Sequence, residues 1–254
     1  MRIRVLWGLM ACAAMFSPAP CPAQDQKEQL RPATATRPAT TTAPRVQDVL
    51  KIEGGYEAVF DTTETPELRD WVNTRLKPVT AEWYPKIVAM LPSEGFEAPK
   101  KFTITFYKDM RGVANASGTQ IRAAGPWFKG QLDKEALGAL VHEMVHVVQQ
   151  YRGARGGNRN PGWLVEGLAD YIRWQIYEPK EKRRRPDSRW KYDGSYHQTG
   201  AFLEYVLNTY DKDIVKKLNA AMRQGKYAAE IWKENTGKTL EELGAEWAKT
   251  LPPR

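Results

Sequence analysis

The chain has very little cysteine and histidine. Only two cysteines occur in 254 residues, Cys12 and Cys21, and both lie within the first 23 residues. If that segment is removed, as its pattern below predicts, the remaining chain has no thiol. This excludes disulfides, cysteine nucleophiles and thiolate metal ligands from the mature protein. Its stability must then rest on side-chain packing and on any metal that it binds.

Long apolar runs are also scarce, and the N-terminal one has the form of a targeting segment. Arg2 and Arg4 precede an apolar stretch that ends at Phe16, and Cys21-Pro22-Ala23 provides a small-residue exit. The stretch is too short to serve as a membrane anchor. Residues 1–23 therefore predict a cleaved signal peptide and a secreted, periplasmic or extracellular protein. The alternatives are an N-terminal core helix and a lipoprotein cleavage box at Cys12.

Residues 24–45 form a segment rich in Thr, Ala and Pro in which Arg-Pro-Ala-Thr recurs. It has almost no large apolar side chains, so it cannot bury enough surface to fold and predicts a disordered tether. Whether it also acts as a propeptide is left open. The remaining residues 46–254 suit one domain with a sizeable core, which we interpret as the catalytic domain.

The positive charge of the chain is local. Residues 46–254 hold 32 basic and 28 acidic side chains, whereas residues 180–191 alone hold seven basic and two acidic ones. This loop could attract acidic substrates or anionic cell-surface polymers, although charge runs are usually ordinary solvated surface. No basic face interleaved with aromatics is evident, so we predict no nucleic-acid partner.

Two of the three histidines lie in one turn of a predicted helix, within VHEMVHVVQQ (residues 141–150). His142 and His146 are four residues apart and project from the same face, where two imidazoles can hold one Zn²⁺. Glu143 can then point at a water in an open coordination position. We expect Asp133 to be the N-cap of this helix. The alternative is a pair of structural histidines whose hydrogen bonds are satisfied.

A second segment, PGWLVEGLADYIRW (residues 161–174), supplies what a catalytic zinc site lacks, a third protein ligand. Glu166 is the candidate, since the 20 residues after His146 leave room for a glycine-rich reversal at residues 152–160. Asp170 follows on the same helix face and can accept the free N–H of a ligating histidine. Gly167 and Ala169 are small, so we expect this helix to approach the histidine helix closely.

These residues together resemble a known family. HEMVH followed by a downstream Glu is similar to the gluzincin arrangement. The individual residues of the two segments resemble those of the plant basic secretory protein family of secreted zinc peptidases. There the run has the form HEMxHxxQ, a Gly-rich loop, then P-x-x-L-x-E-G-x-A-D-Y. YHQTGAFLEY (residues 196–205) also resembles that family, which usually has Ala where this chain has Gly200. The basic loop before Trp190 departs from it too.

The resemblance implies a zincin-like metallopeptidase fold, and the pattern of segments agrees. Residues 49–60 predict a strand interrupted by Gly54-Gly55, residues 66–91 a kinked helix or two helices, and FTITFY (residues 102–107) a strand. Residues 118–125 predict a short edge strand. Helices follow from Asp133 onward, with one at about residues 162–177 and others over residues 201–247. The prediction is an α+β fold, with a small mixed sheet followed by a mainly helical half.

The resemblance also suggests two further site features. An edge strand beside the metal commonly pairs with the substrate backbone in such peptidases. We assign that role to Gln120, Ile121, Arg122, Ala123 and Ala124. A donor is needed for the oxyanion of the reacting carbonyl. Tyr196 is the first candidate because it falls on the family's tyrosine, and His197 and Tyr192 are the alternatives.

The sequence thus predicts a secreted zinc metallopeptidase that acts on peptide or protein substrates, with no stable membrane anchor once the signal is cleaved. Two alternatives stay open. One is a binding protein that grips cell-wall or polyanionic material on the same scaffold. The other is a zinc amidase acting on a non-peptide amide.

Overall fold

A computed structural model describes residues 44–151, 160–178, 180 and 183–253. The predicted signal peptide, nearly all of the predicted tether and residues 152–159 of the glycine-rich loop lie outside these residues. In the described part a five-stranded mixed sheet comes first and is followed mainly by helices. The predicted α+β class is confirmed.

The first two strands form a hairpin and not the single interrupted strand that the sequence predicted. Gln47–Ile52 (β1) pairs antiparallel with Tyr56–Asp61 (β2). Gly54 and Gly55 have φ of +83° and +75°, a region that glycine adopts without steric cost. Two such residues in succession reverse the chain, which is why the prediction of one strand was wrong.

The other three strands complete the sheet in the order β1-β2-β3-β5-β4. Lys101–Tyr107 (β3) runs parallel to β2, with Phe102, Ile104 and Phe106 buried in alternation as predicted. Ala114–Ser117 (β4) turns back through Gly118 into Gln120–Ala124 (β5), and β5 runs parallel to β3. The prediction that residues 120–124 form an edge strand was therefore wrong, because β5 is paired on both sides and β4 is the edge.

The helical segment between β2 and β3 is continuous despite its two prolines. A 3-10 turn, Pro66–Leu68, leads into Arg69–Trp71 (α1), a π-helical turn over Val72–Leu76, and Lys77–Met90 (α2). Pro78 falls in the first turn of α2 and Pro85 in its interior, and neither can donate the backbone hydrogen bond of its turn. Tyr84 on α2 stacks on Phe102 at a ring-centroid distance of 4.4 Å. The segment therefore covers one face of the sheet.

The second half contains the remaining helices of the described chain. They are Gly125–Lys129 (α3), Ala136–Gln149 (α4), Gly162–Asp170 (α5), Tyr196–Thr209 (α6), Ile214–Arg223 (α7), Glu230–Thr236 (α8) and Leu240–Thr250 (α9). π-Helical turns over Tyr171–Tyr177 extend α5, so the predicted helix at residues 162–177 is confirmed in extent. Among the described residues, no helix combines the length and the apolar character needed to cross a membrane.

Two local predictions about α4 and α5 were wrong. The N-cap of α4 is Glu135 and not Asp133, because a tight turn intervenes before the helix begins at Ala136.

Gly167 on α5 does not face α4. A Cβ at Gly167 would lie 2.1 Å from the Cγ2 of Thr199, so its small size allows close packing of α5 on α6. The histidine helix α4 packs against the edge strand β4 as well as against α5.

Candidate metal centre

His142 and His146 are brought together by one turn of α4, a helix that is buried on nearly every side. Their Nε2 atoms are 3.0 Å apart, and the two rings meet almost at right angles. Four-residue spacing on a helix is what sets this pairing. A buried turn that carries two imidazoles facing each other is arranged for a shared ligand.

Glu166 on α5 provides the third group. Its Oε2 lies 3.2 Å from the Nε2 of His142 and 3.3 Å from the Nε2 of His146. One ligand atom from each of the three residues falls within a span of 4.8 Å, and together they could hold a metal ion. Two imidazole nitrogens and one carboxylate oxygen form a donor set suited to Zn²⁺.

The far side of each histidine ring is held by a buried polar side chain. The Nδ1 of His142 is 2.8 Å from the Oδ1 of Asp170, one turn beyond Glu166. The Nδ1 of His146 is 2.7 Å from the Oε1 of Gln149, whose Nε2 donates to the backbone oxygen of Val165 at 2.9 Å. Both acceptors fix each ring with Nε2 turned toward Glu166.

Sequence reasoning placed Asp170 in this arrangement but missed Gln149. The available signal was an amide side chain three residues after His146 on an otherwise apolar helix. Gln149 is only 2% exposed. A buried amide needs a donor for its oxygen and an acceptor for its nitrogen. This requirement could have suggested His146 as one partner and a backbone oxygen of the facing helix as the other.

The histidines and carboxylates of the centre shift one another's pKa values. Burial alone would lower the pKa of His142, but its hydrogen bonds to Asp170 and Glu166 outweigh burial and raise that pKa to about 9. Burial would raise the pKa of Glu166, yet the two histidines hold it well below its usual range. The cluster thus stabilises a proton on imidazole beside an ionised carboxylate, and a divalent cation would occupy the same electrostatic position.

Glu143 lines the cleft beside α4's histidines, and the residue is only 8% exposed. Its Oε2 has no hydrogen-bond partner among the residues that the structure describes. Burial raises the pKa of Glu143, while the neighbouring imidazoles and the backbone of Ala116 on β4 oppose that rise. A buried carboxylate with a free oxygen and an elevated pKa is suited to accept a proton.

The cluster opens into a cleft of about 670 Å³. One wall is the edge strand, through Ala114, Asn115 and Ala116, and the floor is formed by the two histidines with Glu143 and Glu166. Residues 120–124, predicted as the substrate strand, do not line this cleft in the structure, because β4 lies between β5 and the open edge. The strand beside the cleft is β4, which its short sequence Ala-Asn-Ala-Ser did not single out.

Of the three candidates for an oxyanion donor, Tyr196 is the one on the cleft. It begins α6, is 53% exposed and lines the cavity together with the histidines. His197 is instead wedged between the rings of Trp174 and Trp190, at centroid distances of 5.0 and 5.4 Å. The ring of Tyr192 packs against Trp163 and Phe202.

The end of the histidine helix is fixed by a residue far along the chain, which the sequence did not reveal. The guanidinium of Arg223 donates to the backbone oxygens of Val148, Gln149 and Leu91 at 2.9–3.1 Å. Gln150 ends the helix in the left-handed region with φ of 44°. Because these carbonyls have no partner within a helix, the cation satisfies them and complements the helix dipole.

Comparison with known proteins adds one match. A family model described as a peptidase of plants and bacteria, BSP, matches residues 64–247, which include all of the residues of the centre. No protein of curated function matches the chain significantly.

Proposed function

Because the chain belongs to the basic secretory protein family of peptidases of plants and bacteria, we propose that it is a zinc-dependent peptidase that hydrolyses peptide bonds. The supporting observation is the convergence of His142, His146 and Glu166 on one point, with the unpaired Oε2 of Glu143 on the same cleft. From the pattern of residues 1–23 we also propose that the protein is exported from the cytoplasm by a cleaved signal.

The residues fit a catalytic zinc site more closely than a structural one. Structural sites use four protein ligands, whereas three protein ligands leave a position for water or substrate. Three ligands converge here, and they face an open cleft. When bound, Zn²⁺ would polarise the scissile carbonyl and acidify the attacking water.

The proposed steps use groups of the chain itself. Glu143 accepts a proton from the attacking water on its free carboxylate oxygen and passes it to the leaving amine. Asp170 and Gln149 keep the two histidines in the orientation that presents Nε2. The hydroxyl of Tyr196 donates to the oxygen of the scissile carbonyl as negative charge develops there. The free edge of β4 pairs with the backbone of an extended peptide.

The test is to incubate the purified protein, zinc-loaded, with a mixed peptide library and to identify products by mass spectrometry. Glu143→Gln should keep the metal and lose turnover by a factor on the order of 10² to 10⁴. Glu166→Ala should lose metal affinity as well. Wild-type turnover in Glu143→Gln would remove that residue as the base, and full metal content in Glu166→Ala would require another third ligand.

The same cleft could serve a non-peptide amide, and the library separates that case. A protein that binds zinc, cleaves no peptide and still releases acetate or fatty acid from acylated amines would be an amidase. A pure binding protein has no use for a buried carboxylate with a free oxygen at Glu143, since burying it without a partner costs stability.

A further inference from the structure

A second cavity adjoins the metal centre. It measures about 380 Å³ and is lined by Arg173 and Trp174 on the π-helical turns, by Arg184, and by Ser195, Tyr196 and His197 at the start of α6. We call it the tryptophan pocket. Tyr196 also lines the catalytic cleft, and Asp170 both borders the tryptophan pocket and holds His142. A peptide residue that passes Tyr196 in the cleft is therefore next to this pocket.

The tryptophan pocket contains an arginine that has no acidic partner among the described residues. Arg184 is exposed and forms no ion pair with any residue in the described ranges. Arg183, by contrast, pairs with Glu204 at 3.5 Å. The acidic residue of the pocket, Asp170, is engaged with His142. With respect to the described part of the chain, the guanidinium of Arg184 is thus available to a ligand.

One of the two cations, Arg173, is held in place by an aromatic ring. The guanidinium of Arg173 stacks on Trp174 at 4.2 Å, and its Nη2 bonds to Glu135 at 3.0 Å. His197 is wedged between Trp174 and Trp190. The wall formed by Arg173, Trp174 and His197 is therefore held in place by packing, which reduces the ordering cost of binding.

From this arrangement we propose that the tryptophan pocket is a specificity subsite that takes a carboxylate of the peptide substrate. A guanidinium binds a carboxylate through two parallel hydrogen bonds. The rings of Trp174 and Tyr196 offer apolar surface to the methylenes that carry the acid. The carboxylate can come from an acidic side chain or from the C-terminus of the peptide. This inference rests on the proposed peptidase function.

The experiment compares decapeptides that differ only by Glu or Gln at one position, each made with a free and an amidated C-terminus. Binding is measured by fluorescence anisotropy on zinc-loaded Glu143→Gln protein, and cleavage is measured on the wild type. One position should favour Glu over Gln by about tenfold, as expected for one partly exposed charge-assisted pair. If the C-terminus is the ligand, the free-acid peptides should instead bind about tenfold more tightly than the amidated ones, and Arg184→Gln should remove that difference.

Arg184→Gln provides the decisive variant and Arg185→Gln its matched control. Both arginines are exposed and adjacent, but Arg185 borders a neighbouring cavity and not the tryptophan pocket. Arg184→Gln should bring the acid preference to within twofold of unity, and Arg185→Gln should retain it. Binding that depends neither on Glu at any position nor on a free C-terminus, or equal loss in both variants, would overturn the subsite. Carboxylate-selective binding without cleavage would uphold the subsite and reject the peptidase.

Discussion

The strongest new expectation concerns Gln149, which links the second histidine to the helix of the third ligand. Gln149→Leu keeps the approximate volume and removes both hydrogen bonds, at 2.7 Å to His146 and 2.9 Å to the oxygen of Val165. The ring of His146 then loses the acceptor that fixes its tautomer. Loss of such a partner typically lowers metal affinity about 10- to 100-fold, equivalent to about 1.4–2.7 kcal/mol.

The same substitution also destabilises the fold for a reason unrelated to metal. It removes the hydrogen bond from the Gln149 amide to the backbone oxygen of Val165, whose net contribution is about 0.5–1.5 kcal/mol. Asn219→Leu separates the two effects. Asn219 is a fully buried amide that accepts from Tyr151 at 3.0 Å and donates to Pro92 at 2.8 Å, but it contacts no ligand of the centre.

The assay is zinc affinity by competition with a chromophoric chelator, next to thermal unfolding of the same samples. Both variants should unfold at lower temperature, and only Gln149→Leu should bind zinc more weakly. Wild-type zinc affinity in Gln149→Leu, together with a lowered unfolding temperature, would refute the role of Gln149 in orienting His146 and reduce it to a structural amide.

Three other outcomes follow from the geometry. Tyr196→Phe should lower kcat about 10²- to 10³-fold with zinc affinity unchanged, and a normal kcat would return the oxyanion role to another donor. Apparent zinc affinity should rise about tenfold per pH unit between pH 7 and 9, because His142, with a pKa of about 9, must lose its proton to coordinate; a flat titration would contradict this. Gly200→Ala should lower stability by about 1–3 kcal/mol, because its Cβ would lie 2.9 Å from the backbone nitrogen of Tyr171. Gly162→Ala, with open space around it, is the control, and equal unfolding temperatures in the two would disprove close packing there.

What the sequence could predict was the part of the site that short-range periodicity determines. A helix fixes which side chains share a face, so His142 and His146 were certain to face each other once the helix was recognised. The same rule placed Asp170 beside Glu166. The alternation of Phe102, Ile104 and Phe106 likewise identified β3, since one face of that strand is buried.

What the sequence could not predict depends on pairing between distant segments. The choice between β4 and β5 as the edge rests on which strand pairs with β3. That pairing depends on long-range packing that no local pattern in Ala-Asn-Ala-Ser or Gln-Ile-Arg-Ala-Ala reports. The hairpin at Gly54-Gly55 was missed for a related reason, because a glycine pair allows either a bulge or a reversal and the partner strand decides.

The residues that hold α4 and its histidines in place also come from distant segments. The HExxH motif alone is therefore an incomplete description of the centre. From α5, Asp170 contacts His142 directly, and the Val165 oxygen holds Gln149, the partner of His146. Arg223 reaches the end of α4 from α7, 74 residues after Gln149. Ligand identity is therefore local in sequence, whereas ligand orientation is set by tertiary contacts. A chain that keeps the HExxH pattern but loses these contacts should still place two histidines on one face, yet bind metal weakly, because their rings would be free to rotate.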